Sequence, residues 1–213
     1  GVEILSYVEQ VGTLKAKVDM SAVTPEDIEA NIIRCPDQKM AEKMIELVDG
    51  IRKEGNSVGG VIRGLIRHVP KGLGEPVFDK LSADLGKAML SINAVKGFDI
   101  GSGFEGVRMR GSEHNDPFTI DASGKVRTTT NHAGGTLGGI SSGEDIYFRV
   151  AFKPVSTIRK KQQTVNMEKG EEVELEATGR HDPCVLPRAV PIVDAMSALV
   201  IMDHYLRNKS QNG

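Results

Sequence analysis

The sequence has 213 residues, 39% of them hydrophobic, which is enough for a sizeable buried core in one domain or two small ones. Twenty-seven basic and 29 acidic residues give a formal net charge of −2, so no overall field favours nucleic acid as a partner. We find neither an apolar run of about 20 residues nor a charged-then-apolar leader, and we therefore expect neither membrane insertion nor secretion.

The first elements that the sequence predicts are a strand and two helices. The chain begins at Gly1, and residues 2–8 already form a strand-like run, as expected for a piece cut from a longer sequence. Thr24 is typical of a helix N-cap, and Pro25 follows it at the first helical position. Asp37 caps a longer helix, whose apolar residues follow the 3,4 spacing of one buried face.

A second strand and a third helix follow. Residues 58–69 read as a strand in which Arg63 and Arg67 share one face, and we expect both arginines to reach solvent or an interface. Residues 77–90 are predicted to be a helix. Four apolar residues are predicted on its inner side, namely Phe78, Leu81, Leu85 and Met89.

The middle of the chain is predicted to hold short strands joined by tight turns. These strands cover residues 95–100 and 106–110, and a further pair flanks the turn at residues 121–124. Residues 145–152 show the clearest alternation of apolar and polar side chains in the chain. This pattern predicts a strand with one buried face.

The last part of the chain is predicted to contain a hairpin within residues 164–177, a helix over residues 189–207 and a polar tail over residues 208–213. Four apolar residues of the helix are predicted to face inward, namely Met196, Leu199, Val200 and Leu206. Strands and helices occur in mixed runs without regular alternation, which is typical of an α+β layered fold rather than a doubly wound parallel sheet.

A glycine-rich segment is the first candidate ligand site. Residues 134–143 contain five glycines, so their backbone can approach a flat or anionic ligand and direct amide N–H groups at it. The segment matches neither common glycine motif for phosphates, and a flexible surface loop is the alternative. The strand that follows ends in a run whose ammonium, hydroxyl and amide groups could hold a phosphate or the edge of a flavin, namely Lys153, Pro154, Val155, Ser156 and Thr157. A solvent-exposed strand end is the alternative.

Two further candidates are polar side chains at turns. Asn93, beside the small residue Ala94, suits an amide contact to a heterocycle, and a helix C-cap is the alternative. Arg180 and Asp182 lie in a turn bounded by Gly and Pro, where a guanidinium matches phosphate and a carboxylate can accept a proton. A surface ion pair is the alternative for these two residues.

The sequence predicts no metal site. His68, His114 and His204 have no partners at the spacing of metal ligands. The only two cysteines, Cys35 and Cys184, are far apart, which favours free thiols in a reducing compartment such as the cytoplasm or a plastid stroma.

Together these segments resemble chorismate synthase, in the order in which that family carries them. The resemblance rests on residues 72–78, 91–97, 131–143, 153–154 and 179–184. It runs along essentially the whole chain but covers only the carboxyl-terminal part of the family sequence. The chain departs from the family in having Asp194 where glutamate is usual. The family's Ser-His-Gly segment, its second catalytic histidine and its Ser-Ala-Arg segment have no counterpart.

The resemblance implies a fold, a reaction and a set of site residues. The fold is a sandwich of helices between antiparallel β-sheets, here incomplete, in one domain over residues 1–213 that forms a homotetramer when complete. The reaction is the trans-1,4 elimination of phosphate from 5-enolpyruvylshikimate 3-phosphate, which yields chorismate and requires reduced FMN without net redox change. The residues that would line the flavin site are Asn93, Ala94, Gly138, Lys153, Pro154, Val155, Ser156, Thr157 and Arg180.

The resemblance also assigns roles in the chemistry. Asp182 would be the base near the flavin, and Arg180 would face the substrate as well as the flavin. His181 is expected to be a spectator, because the family also accepts serine there. We expect the chain to be catalytic only as part of the complete enzyme, and the alternative is a non-catalytic flavin- or phosphate-binding and oligomerisation module. Whether NADPH reduces the flavin through a partner domain is left open.

Overall fold

A five-stranded antiparallel sheet forms the centre of the structure, a computed structural model that describes residues 1–176, 179 and 181–213. In spatial order its strands are β2 (Leu14–Lys15), β1 (Glu3–Val11), β3 (Gly60–Arg67), β9 (Ile146–Phe152) and β4 (Val95–Ile100). The strands predicted at the start of the chain and around residues 58–69, 95–100 and 145–152 are therefore confirmed.

Three long helices contribute to the main core on one face of this sheet. They are α2 (Gln38–Lys53), α3 (Leu81–Leu90) and α5 (Leu186–Asn212). The shorter α1 (Pro25–Glu29) belongs to a smaller apolar cluster with residues of β1 and β3. Both predicted N-caps are confirmed, since Thr24 Oγ1 accepts from the amide of Asp27 at 3.2 Å and Asp37 accepts from the amide of Met40 at 3.1 Å.

The remaining elements are short. Helix α4 spans Gly111–His114, and three hairpins are formed by β5 (Phe118–Ile120) with β6 (Val126–Thr128), β7 (Thr136–Leu137) with β8 (Ile140–Ser141), and β10 (Lys161–Asn166) with β11 (Glu171–Glu176). The predicted strand at residues 106–110 is wrong, because Gly103–Arg108 forms a 3-10 helix. Gly101 and Gly103 both have positive φ angles, so the backbone bends directly after β4 instead of extending.

The inward faces of two helices differ from the prediction. Helix α3 begins at Leu81, so Phe78 lies in a loop before it and is 91% exposed. This loop is closed by a hydrogen bond from the amide of Glu75 to the carbonyl of Asp79. On α5, Leu199 and Leu206 are 66% and 56% exposed, because the helix turns Val193, Ser197, Ile201 and His204 inward instead.

The two arginines of β3 do not reach solvent, which was one of the two outcomes predicted for them. Their side chains are only 13% exposed, because Arg63 pairs with Glu9 at 2.7 Å and Arg67 with Glu3 at 2.8 Å, both across the β1–β3 ladder. On the same sheet, Arg149 of β9 donates its Nε–H to Asp99 of β4 at 3.0 Å. Paired charges of this kind let a sheet face remain polar without leaving unpaired buried ions.

Helix α5 corrects the expectation that the chain has no apolar run of membrane-spanning length. By length and composition alone it could cross a bilayer, with a mean hydropathy of 1.4 over its most apolar window. Several of its residues, including Leu186, Val190 and Val193, nevertheless belong to the main core. The polar tail predicted over residues 208–213 continues the helix as far as Asn212.

Candidate functional site

A largely apolar pocket of about 570 Å³ lies between the segment that follows α3 and the first half of α5. Its lining includes Asn93, Ala94, Phe152, Val155 and Ile192, together with the charged side chain of Arg188. Cofactor pockets typically have this size, mainly apolar walls and a few polar groups. A second cavity, of about 430 Å³, lies further along the groove between α3 and α5 and is lined by none of the predicted site residues.

Strand pairing brings the two halves of this pocket together. Strands β4 and β9 pair with Val95 opposite Phe152, so the residues before β4 meet those after β9. The amide of Lys153 donates to the carbonyl of Ala94 at 2.9 Å, and Ser57 Oγ donates to the carbonyl of Val155 at 2.6 Å. These bonds fix the position of both segments relative to the sheet.

Ala94 has an unusual backbone conformation within the pocket. Its φ angle is +69°, in the left-handed region, where an alanine Cβ crowds the following carbonyl group at a cost of about 1 kcal/mol. Strained residues of this kind persist where the surrounding structure holds them, and they are common at binding sites.

An ion pair lies beside the pocket, at the start of α5. Arg188 Nη1 lies 3.0 Å from Asp182 Oδ2, and the Asp182 side chain is 24% exposed. The turn before α5 is bonded to the segment that leads into β3, because the amide of Val58 donates to the carbonyl of Pro183 at 2.8 Å. Arg188 was not singled out from the sequence, although its place in the first turn of an apolar helix, six residues after Asp182, is a usable signal.

Arg180 and His181, the two residues before Asp182, were also singled out from the sequence. Arg180 lies outside the described residues. His181 is half-buried, and within the described part of the chain its Nε2 atom is buried and has no hydrogen-bond partner. Its expected role as a spectator stays a prediction.

The structure does not bring Gly138 into the same pocket. Gly138 lies at the tip of the β7–β8 hairpin, next to Gly139, whose carbonyl accepts from the amide of Leu81 at the start of α3 at 2.8 Å. Asn93 follows the other end of α3, and a helix of ten residues is about 15 Å long. Of the run after β9, only Val155 lines the pocket, and the other four members are exposed, namely Lys153, Pro154, Ser156 and Thr157.

The two cysteines have no evident chemical role. Both Cys35 and Cys184 are free and buried, as the sequence predicts for reduced thiols. Burial raises the pKa of each thiol to about 11, so neither is a ready nucleophile near neutral pH. Among residues 1–176, 179 and 181–213, no group of three or more His, Cys, Asp or Glu side chains is arranged to hold a metal ion.

Comparison with known proteins identifies the family. The family model described as chorismate synthase matches residues 1–206. This chain belongs to the chorismate synthase family. It is 61% identical over 209 residues to the chorismate synthase of Cytophaga hutchinsonii, which covers 98% of this chain and 58% of that protein. It is 59% identical over 211 residues to the chorismate synthase of Gloeothece citriformis, and this alignment covers 99% of this chain and 58% of that protein.

A solved structure of chorismate synthase has the same fold as this chain. A crystal structure of chorismate synthase aligns with this chain at a TM-score of 0.73 and 26% sequence identity, over 98% of this chain and 58% of that one. The predicted α+β fold with antiparallel sheets is therefore confirmed. The chain spans a little over half the length of the chorismate synthases that it matches.

Proposed function

We propose that this chain is part of a chorismate synthase that converts 5-enolpyruvylshikimate 3-phosphate to chorismate and phosphate, with reduced FMN as its cofactor. The observation that carries the proposal is that the fold brings Asn93, Ala94 and Val155, three residues expected at the flavin site, into one pocket. The reaction breaks one C–H and one C–O bond, moves the C=C bond between the two reacting carbons and gives a net gain of one C=C bond, so it is a carbon–oxygen lyase reaction without net redox change.

The pocket fits a flavin in size and chemistry. Apolar walls suit the faces of a flat ring, and the exposed amide of Asn93 offers a donor and an acceptor to the edge of a heterocycle. Arg188 offers a cation to a phosphate. When bound, reduced FMN would supply the electron density that assists departure of phosphate and would accept the hydrogen that leaves.

The Asp182–Arg188 pair is the part of the site to which we assign proton and phosphate chemistry. The Asp182 carboxylate can accept a proton, and its contact with Arg188 at 3.0 Å fixes its direction beside the pocket. The same guanidinium can stabilise the negative charge that develops on a departing phosphate. The resemblance adds Arg180 as a second cation that faces flavin and substrate.

A second candidate function is a non-catalytic module that binds flavin or phosphate and supports oligomerisation. The observation that favours it is that the chain covers only 58% of the related enzymes, and by resemblance the family's Ser-His-Gly and Ser-Ala-Arg segments have no counterpart in it. Both candidates share the flavin pocket. They differ in whether chorismate is formed.

The proposal predicts that the 213-residue chain binds FMN. We expect saturable quenching of flavin fluorescence when the chain is titrated into FMN, with and without 5-enolpyruvylshikimate 3-phosphate. Arg188→Ala should weaken FMN binding by about tenfold, because it removes the charged side chain that lines the pocket. Arg52→Ala is the matched control, since Arg52 also pairs with an aspartate, Asp49 at 2.5 Å, but on the exposed side of α2.

The same samples, assayed anaerobically for chorismate, separate the two functions. Absence of saturable FMN binding would contradict the flavin site. Binding without product is the result expected for this chain by itself. Chorismate formed by the chain alone would show that it is catalytic without further residues, contrary to our expectation.

We further propose that the complete protein is a cytoplasmic homotetramer. The free, buried thiols of Cys35 and Cys184 support a reducing compartment. Exposed apolar side chains on α5, among them Leu199 and Met202, support association with further protein.

A further inference from the structure

One short segment between α2 and β3, residues 55–59, is bonded both to the pocket wall and to the turn before α5. We call it the bracing segment. Ser57 Oγ donates at 2.6 Å to the carbonyl of Val155, a residue that lines the pocket. The amide of the next residue, Val58, donates to the carbonyl of Pro183 at 2.8 Å. Adjacent residues of one segment therefore hold a wall of the pocket and the turn that leads into α5.

The bracing segment is bonded to the chain on both sides of Asp182. Pro183 directly follows Asp182 and is held as described above. On the other side, the carbonyl of Gly55 accepts from the amide of Arg159 at 2.9 Å, and Arg159 Nη2 donates to the carbonyl of Gly179 at 3.1 Å. The position of Asp182 beside the pocket thus depends on the same segment as the pocket wall.

The bracing segment is itself fixed to the sheet. The carbonyl of Gly59 accepts from the amide of Gly12, directly after β1, at 2.9 Å. A Cβ atom on Gly59 would collide with the carbonyl oxygen of Phe152, the last residue of β9, so the two backbones can approach this closely only without a side chain there. Phe152 also lines the pocket. The segment therefore packs directly against the strand end that forms part of the pocket.

We propose that Ser57 is a positioning residue, whose hydroxyl fixes Val155 in the pocket wall and so keeps the pocket in the shape that accepts the flavin. This inference rests on the proposed function, because it takes the pocket to be the flavin site. Ser57 is not among the residues that line the pocket, and it acts through Val155. Without the hydroxyl, the part-buried carbonyl of Val155 loses its donor, and a wall fixed beforehand lowers the ordering cost of binding.

The first test compares the FMN affinity of three variants, each shown by urea unfolding to be folded under the conditions of the titration. Ser57→Ala removes the donor and should weaken FMN binding by about tenfold. Ser57→Thr keeps a hydroxyl donor and should restore the affinity. Asn208→Ala is the matched control and should leave the affinity unchanged. The Asn208 side chain also joins distant segments by donating to a backbone carbonyl, that of Gly72 at 3.1 Å, but at the other end of α5 from the pocket.

Hydrogen exchange provides a readout that a purely structural role of Ser57 would not change. If the bracing segment orders the pocket, bound FMN should in turn order the bracing segment, because coupling between two sites is reciprocal. Added FMN should therefore slow exchange of the Val58 and Arg159 amides, although neither residue lines the pocket. This protection should be smaller in Ser57→Ala. The amide of Gly170, bonded within the β10–β11 hairpin at 2.8 Å, is the reference and should not change.

The outcomes separate this inference from the proposed function. If the unsubstituted chain fails to bind FMN, the flavin site and this inference fall together. If it binds FMN and Ser57→Ala binds FMN equally tightly, only the inference is overturned. The inference alone is also overturned if FMN binds but leaves exchange of the Val58 and Arg159 amides unchanged.

Discussion

Asp194 shows how burial changes a single ionisable side chain. It lies on α5 in contact with the sheet, and its Oδ1 atom is buried without a hydrogen-bond partner among the described residues. Burial raises the pKa of this carboxyl to about 6, although the Ser6 hydroxyl and the Arg34 guanidinium act to lower it. The sequence shows only that aspartate stands here where glutamate is usual in the family.

The raised pKa predicts a pH-dependent stability. Because the folded state holds the Asp194 proton more tightly than the unfolded chain, the free energy of unfolding should fall as pH rises from about 4 to about 6, and stay lower above. Asp194→Asn removes the ionisation and should raise the free energy of unfolding at pH 8 by up to about 3 kcal/mol. The gain should be smaller at pH 5.

Urea unfolding at the two pH values measures this difference. Asp203→Asn, at an aspartate of the same helix that is 65% exposed, is the control and should show little difference between pH 5 and pH 8. An equal effect of Asp194→Asn at both pH values would mean that Asp194 is not protonated on folding.

Some of the residues at the site could be predicted from the sequence. Asn93, Ala94, Val155 and Asp182 belong to motifs whose residue types indicate binding or proton transfer, and the structure places them in or beside one pocket. The partner Arg188 was missed, because its position in the first turn of an apolar helix marks it as a candidate but does not show that it pairs with Asp182.

At the scale of elements, the pairing of β3 with β9 depends on one glycine. Gly64 lies opposite Phe148, and a Cβ atom on Gly64 would lie far closer to the nearest carbon of the phenyl ring than van der Waals contact allows. The ring also packs on Phe98 of β4, with 5.6 Å between centroids. The absence of a side chain at Gly64 therefore makes room for the aromatic core of the sheet.

We expect Gly64→Ala to destabilise the fold by about 1–3 kcal/mol, because it overpacks the centre of the sheet. Adding Phe148→Leu should recover part of this loss by vacating the space. The control is Gly50→Ala in α2, where a Cβ atom meets nothing within 4 Å and helix propensity predicts a gain of about 0.5–1 kcal/mol. Chemical denaturation measures all three changes. A Gly64→Ala chain as stable as the parent would refute the packing argument.

Most elements were predictable because their signals are local. Strand β9 alternates buried and half-buried residues along its length, and the caps at Thr24 and Asp37 act within three residues of themselves. The predicted strand at residues 106–110 is wrong, since the backbone bends at Gly101 and Gly103, which lie close to residues 132–134 and to Asp99 respectively. Such contacts are invisible to a short sequence window.

At the scale of the whole molecule, helix α5 is apolar on two sides. Its inner side belongs to the main core, and its outer side exposes a row of large apolar side chains, namely Ile192, Leu199, Met202, Tyr205 and Leu206. Helices that are apolar all round are usually buried on both sides. The row is therefore consistent with the proposed assembly into an oligomer.

This row predicts that the chain self-associates. Leu199→Lys combined with Leu206→Lys should lower the average molar mass measured by light scattering at a fixed protein concentration, because charges replace apolar contacts. Ser210→Lys, at an exposed position near the end of the same helix, is the control and should leave the molar mass unchanged. A parent chain that is monomeric over the whole concentration range would contradict the prediction.

The sequence by itself determined the family, the α+β class, the helix caps and the segments that carry polar chemistry, because these depend on residue types within short windows. Tertiary structure alone decided which side of α5 is buried, that Arg63 pairs with Glu9, and that Val155 meets Asn93 in one pocket. The physical reason is that these contacts join residues far apart in the sequence. Arg63 and Glu9 are 54 positions apart, and His204 of α5 and Asp84 of α3 are 120 positions apart. Such partners are set by the packing of whole elements rather than by nearby sequence.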